Sequence, residues 1–270
     1  EYLDQLQDQP DIVRVAIVPT DQDTSWVRIN AITDLEPRSP EGLEQTVSLR
    51  GLESNLDQVL IGGGGAYYTD SQQGIEQALP LAALWIFVST YILLFLFTGS
   101  VLLPLKAILL NVLSLGAILG VLSYVFQNGH LQWLLGEYSV TGTIDTSSLV
   151  MVAVVAFGLS MDYELFLLSR IKEQHDAGMN TVNSVAIGLQ RSGRIITAAA
   201  FILAVTFGSF ASSGVSIMKM LGFGIAFAIL IDATIVRALL VPALMRLFGA
   251  ANWWAPKWLT RIYKKVNLTH

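Results

Sequence analysis

The sequence predicts a membrane all-α bundle of five transmembrane helices, preceded by a partial ferredoxin-like α+β domain. Three observations carry that prediction. Of the 270 residues, 53% are hydrophobic and 14% charged, against roughly 25% charged in an ordinary soluble domain. From about residue 79 onward, apolar runs follow one another, each near the roughly 20 residues a bilayer-spanning helix needs. Before them lies a charged segment that reads as short helices and strands.

Within that first segment, Glu1 to Gln9 suits a short helix and Ile12 to Val18 alternates as a strand. A polar turn, Pro19 to Asp23, leads to a second strand from Ser25 to Thr33, so the pair reads as a hairpin. Ser39 before Pro40 is an N-cap and first-turn pair for a helix running to about Leu56. Gln58 to Ile61 then reads as a short strand. The order helix, strand, strand, helix, strand is a βαββαβ unit lacking its first strand, which predicts that the chain continues upstream of Glu1. The glycines at 62 to 65 invite a phosphate-loop reading, but no Gly-Lys-Ser/Thr follows them. The expectation is a flexible strand end entering a membrane stalk.

The five runs are about Leu79 to Thr98, Ala107 to Phe126, Ser147 to Leu168, Ile195 to Ser213 and Met220 to Leu244. This divides the chain into residues 1–78, 79–248 and a tail, 249–270. An odd number of spans puts the two ends on opposite sides. Lys106, Arg170, Lys172, Arg191 and Arg194 sit after the first and third runs, and Arg246, Lys257, Arg261, Lys264 and Lys265 in the tail. The positive-inside rule therefore places those loops and the tail in the cytoplasm, with residues 1–78 outside. Trp253, Trp254 and Trp258 beside the tail bases suggest a helix lying at the inner interface. Lys172 to Arg194 reads as an amphipathic helix on the inner face, and Gln127 to Asp145, with Trp133 and Leu134, as an interfacial or re-entrant segment on the outer face.

Several function classes drop out. A net charge of −5 gives no reason to expect nucleic acid, and the absence of cysteine excludes disulfides and thiolate metal sites. No nucleophile, base and orienting group occur together, so an enzyme, a metal centre and a cofactor are not expected. Asn267-Leu268-Thr269 fits a glycosylation sequon on the predicted cytoplasmic side and reads as a chance match.

Chemistry concentrates in Phe157 to Arg170. At about 1.5 Å per residue, Asp162 lies roughly 12 Å from Arg170, well inside the third run. A charge at that depth costs on the order of 2.5 kcal/mol or more and by default marks a proton or ion pathway. The alternative is a structural carboxylate bonded to a hydroxyl or to backbone.

Several stretches together resemble the MMPL transporters, the mycobacterial-membrane-protein-large branch of the resistance-nodulation-division (RND) superfamily. They are Leu79-Pro80, Phe97-Thr98-Gly99-Ser100 through Ala107, Asn111 through Ala117, Asp162-Tyr163-Glu164, Leu230-Ile231-Asp232 through Arg237, and Asn252-Trp253-Trp254. The resemblance implies a bacterial plasma (inner) membrane protein with two similar halves, each with one span, an external porter domain and five further spans. This chain resembles the later part of the second half, its spans corresponding to the eighth to twelfth. The function implied is proton-motive-force-driven export of lipids or other hydrophobic molecules, with membrane lipids, protons and the substrate as partners. A further implied partner is the missing N-terminal half, or a second subunit. An alternative is a non-pumping auxiliary resembling the SecDF branch, or a sensor subunit, that uses protonation to move an external domain.

Carried over from the family, Asp162 is the proton carrier and Tyr163 its hydrogen-bonding partner, each facing a counterpart in the other half. Around them the residues have their own readings. Glu164 lies about 200° from Asp162 on a helix, so it points away, towards a polar contact near the inner side. Gly158, one turn before Asp162, suits close approach of a neighbouring helix. Asp232 and Arg237 are five residues apart, a spacing that puts them on different faces of an α-helix. Arg237 is expected to snorkel to the interface and Asp232 to pair elsewhere, with a coupling role open to it. Ser209, Ser212 and Ser213 suit either hydration of a proton path or helix packing. His130 and His175 read as solvated loop residues.

Overall fold

A computed structural model of the chain describes residues 2–19, 26–138, 140 and 144–266; most of the Pro19 to Asp23 turn and the Asn267 sequon lie outside the described residues. The chain divides into two compact units at 77/78.

In the first unit, α1 (Tyr2–Gln7) precedes β1 (Ile12–Val18) and β2 (Arg28–Thr33), followed by α2 (Pro40–Arg50). β1 and β2 pair antiparallel, with Val15 opposite Ala31 and Ile17 opposite Ile29. Ser39 caps α2, its Oγ accepting the Gly42 N–H at 3.1 Å, and Pro40 takes the first turn. The helix stops at Arg50, short of Leu56, because the Gly51 N–H closes the last turn onto the carbonyls of Val47 and Ser48. Gln58 to Ile61 forms no strand, and the described sheet has two strands. A strand exists through the ladder it shares with a neighbour, and this segment has none. Of the ferredoxin-like unit, the described residues show the β1–β2 hairpin with its helices.

The glycines at 62 to 65 are not a strand end either. Gly64 opens α3 (Gly64–Thr98), and a Cβ at Gly65 would come within 2.5 Å of Thr46 Oγ1 on α2. Here glycine permits helix-to-helix approach. Arg50 ties the same two helices with paired bonds of 2.6 and 2.8 Å to Asp70. The first span therefore begins as a helix at residue 64. Leu79-Pro80, expected to open it, marks only where its surface turns apolar.

The second unit contains the apolar helices. α4 (Leu102–Leu122) continues as a π-helical turn, Ser123–Gln127; a short α5 (Gln132–Leu135) follows; then come α6 (Thr146–Asp176), α7 (Thr181–Ser209) and α8 (Ser216–Ile231). α8 runs into a π-helical segment, Asp232–Leu240, then α9 (Val241–Phe248), a 3-10 turn Gly249–Trp253 and α10 (Lys257–Val266). Five helices are long and apolar enough to cross a membrane: Gly64–Thr98, Leu102–Gln127, Thr146–Asp176, Thr181–Ser212 and Ser216–Trp253. They carry the five runs read from the sequence and extend beyond them.

That extension removes the amphipathic helix expected over Lys172 to Arg194. α6 continues to Asp176 and α7 begins at Thr181, where Asn180 accepts the Asn183 N–H at 2.9 Å. The basic residues ride on the spans themselves. Hydropathy ends a span at its first charges, whereas backbone hydrogen bonding carries the helix through them. His175 consequently lies in the last turn of α6, stacked on Trp253 with ring centroids 3.9 Å apart. Trp253 also donates its indole N–H to Thr181 Oγ1 at 3.3 Å, so it packs into the bundle while Trp254 and Trp258 stay exposed.

α6 is central, packing on α7, α8 and α4. Its buried residues Val152, Ala156, Ser160, Glu164, Leu167 and Ile171 recur at three- and four-residue spacing, the stripe of a helix buried on one side. Gly188 lets α7 close on α6, since a Cβ there would stand 2.6 Å from Ile171 Cγ1. At the far end of α4, the Tyr138 hydroxyl reaches the carbonyls of Val125 (2.8 Å) and His130 (2.5 Å). Lys219 lies buried in the first turn of α8 and donates to the carbonyls of Leu135 (2.5 Å) and Glu137 (3.1 Å). Two apolar layers result. One holds Val152, Ala156, Ala228 and Ile229; the other holds Met161, Leu167, Val236 and Val241. Between them the buried residues are polar: Ser160 on α6 and Asp232 at the start of the π-helical segment.

Candidate functional site

Those intervening residues form a buried ion layer. Ser160 Oγ donates to Asp232 Oδ1 at 2.7 Å, and Arg237 pairs with Asp232 Oδ2 at 2.6 Å. The same guanidinium nitrogen, Nη2, donates to the Ser160 carbonyl and lies 3.3 Å from Ser160 Oγ. Arg237 also stands over the Tyr163 ring, 5.0 Å from its centroid, in cation–π geometry. Its Nε and Nη1 are buried without a hydrogen-bond partner among the described residues.

The pairing corrects the sequence reading of Arg237 twice. It is 1% exposed, so it does not snorkel, and it shares a face with Asp232. The cause is local backbone geometry. In an α-helix, residues five apart diverge; in a π-helix the N–H bonds the carbonyl five residues back, and residues at that spacing come together. Asp232–Leu240 is π-helical, so its first acid meets its base. Each ion alone would cost several kcal/mol to bury; together, with the Ser160 hydroxyl, they compensate one another.

Glu164 lies one turn beyond Ser160 on the same buried face, opposite Asp162 as its position around the helix requires. Its charged neighbours are Arg237, Asp232 and Lys106. Lys106, expected in a loop, belongs to the first turns of α4 and is buried. Its ammonium donates to Asn252 Oδ1. Asn252, 0% exposed, donates in turn to the carbonyls of Met245 (2.7 Å) and Gly249 (2.6 Å). Two acids and two bases thus share the layer, a set whose charges balance when all are ionised.

Asp162 occupies the other side of α6. It is exposed, as is Gly158 one turn earlier, and a Cβ at Gly158 would meet open space. None of the described helices packs on that face at Gly158. Tyr163 stands at the border, half-buried, between the Asp162 face and Arg237. Ser209 is not brought to the layer: it is exposed at the end of α7 and donates to the Thr206 carbonyl at 2.7 Å. Ser160, Lys106 and Asn252 went unrecognised in the sequence. Ser160 carried a readable signal, since it falls in register with Ala156 and Glu164 on the buried stripe.

A family model, MMPL family, matches residues 3–266 of the chain. The chain belongs to the MMPL family. MMPL relatives include the trehalose monomycolate exporter MmpL3 of Mycolicibacterium smegmatis, 44% identical over 211 residues, which are 78% of this chain and 21% of that protein. The mycolic acid-containing lipids exporter MmpL11 of the same organism is 34% identical over 267 residues, 97% of this chain and 28% of the relative. The heme uptake protein MmpL11 of Mycobacterium tuberculosis is 34% identical over 262 residues, 96% of this chain and 27% of the relative. The chain therefore spans about a quarter of the length of the MMPL proteins it matches.

Proposed function

We propose that this chain forms the membrane part of one half of a proton-motive-force-driven exporter of lipids or other hydrophobic molecules. The observation that carries the reading is Asp162, an exposed carboxylate within an apolar span, one residue from a tyrosine that covers a buried arginine. Facing hydrocarbon, a carboxylate costs on the order of 2.5–3.5 kcal/mol; facing a complementary set of spans, with donors of its own, it becomes a site that gains and loses a proton. In this reading Asp162 carries the proton and Tyr163 bonds to it. Tyr163 and the Asp232–Arg237 pair, with Glu164, transmit the change of charge to α8. Gly158 admits the facing helix, and Ser209 lines the outer end of α7.

The complementary spans are supplied by the rest of a full transporter or by a second subunit. Lys106 near the start of α4, Arg170 and Lys172 on α6, Arg191 and Arg194 on α7, and the tail bases support a cytoplasmic C-terminus in a bacterial plasma membrane, with the β1–β2 unit outside as part of a porter domain. The names of the relatives concern trehalose monomycolate, mycolic acid-containing lipids and heme. All are large, amphipathic or hydrophobic cargo, which supports a substrate taken from or released to the membrane. The test is Asp162→Asn in the full-length protein: membrane insertion unchanged and lipid export abolished. Export at the wild-type level would remove Asp162 from the mechanism.

A further inference from the structure

Between α4, α6 and α9 lies a cavity of about 10 Å³, lined by Leu103, Lys106, Leu110, Glu164 and Met245 among others. About that volume holds one water when polar partners are present. The partners are there. Glu164 is only 6% exposed, and among the described residues its carboxylate accepts no protein hydrogen bond. Buried carboxylates are expensive to leave without donors. Lys106 lines the same space from the Leu102 end of α4, and Asn252 takes up one of its three donor positions.

We propose that this cavity is a water site that hydrogen-bonds Glu164, and that Lys106, held by Asn252, controls proton exchange between Glu164 and the Leu102 end of α4. The proposal rests on the proton-driven reading above and adds to it an access route on the buried side of α6. Arg237 and Asp232 face Glu164 from the α8 side and Lys106 faces it from α4, so the acid sits between two cations. A proton passes from the bound water to a Glu164 oxygen while the water takes one from the next water towards the end of the bundle. One O–H bond forms for each that breaks. Asn252 is a positioning residue: it keeps the ammonium from closing directly on Glu164 and displacing the water.

The water is tested by radiolytic hydroxyl-radical footprinting of the full-length protein in lipid vesicles, with three buried methionines compared within one molecule. Met245 lines the cavity and is 1% exposed, whereas Met161 and Met220, away from it, are 8% and 5% exposed. Bulk access predicts that Met245 reacts most slowly; a water held beside it predicts oxidation several-fold faster than either of the others. Glu164→Leu should reduce Met245 to the level of Met161, with the other two methionines reporting that the fold is intact. Met245 reacting no faster than Met161 and Met220 overturns the water site.

The gating role is read from proton flux in the same vesicles. Lys106→Met should lower it at least tenfold and Lys106→Arg should restore most of it; wild-type flux in Lys106→Met overturns the route. These results separate from the export reading. Normal flux in Asp162→Asn with fast Met245 oxidation would sink the exporter mechanism alone, and slow oxidation with inactive Asp162→Asn would sink the water site alone.

Discussion

Asp162 and Glu164 stand two residues apart on α6 and occupy opposite surroundings. Glu164 is buried with Arg237, Asp232 and Lys106 around it; Asp162 is exposed beside an open Gly158. The difference separates what this chain completes by itself from what it presents outward. On the Glu164 side, acids and bases balance and apolar layers close above and below. On the Asp162 side, a carboxylate at mid-span stands on a glycine-bordered face. A balanced buried layer stabilises an arrangement, whereas the outward carboxylate makes no ion pair among the described residues.

The strongest perturbation of the buried side is Arg237→Met, which strands Asp232. Breaking one partner of a buried ion pair costs about 3–5 kcal/mol, and unfolding in detergent micelles should show a loss of that order. Adding Asp232→Asn should recover most of it, because the stranded charge, not the missing contact, carries the cost; no recovery would mean that Asp232 has another cation. Ser160→Ala removes a hydroxyl bonded to a carboxylate, a loss of about 1.5–3 kcal/mol by the same assay. Gly188→Ala forces a Cβ against Ile171, and overpacking predicts a cost of about 1–3 kcal/mol. The smallest effect on stability belongs to the other side. Asp162→Asn should leave the unfolding midpoint unchanged within error, and a large shift would show that Asp162 helps hold this unit together. A spin label at Gly158→Cys sharpens the contrast: in the full-length protein it should be immobilised and shielded from lipid-dissolved oxygen, and free access would place that face against lipid.

The spans were legible because about 20 apolar residues in a row admit few other fates. Their ends were not: Lys106, Lys172 and Arg191 interrupt the hydropathy without interrupting the backbone hydrogen bonds, so helices ran on into what read as loops. Glu164 was placed opposite Asp162 by helical geometry alone. Arg237 was misplaced by the same geometry, because the α-helical turn was assumed where the backbone is π-helical. Residues meeting across a long sequence separation, Lys106 with Asn252 and Ser160 with Asp232, left no spacing to read. The third strand failed for a related reason, since Gln58 to Ile61 has strand-like residues and no neighbour among the described strands.

Proton flux through the full-length protein in lipid vesicles, followed with a pH-sensitive dye in the lumen, tests the outward carboxylate most directly. With an imposed gradient and lipid cargo present, wild type should conduct protons, and Asp162→Asn should fall to the level of protein-free vesicles with its helices and unfolding midpoint intact. Flux in Asp162→Asn equal to wild type would contradict the assignment of the proton to this face.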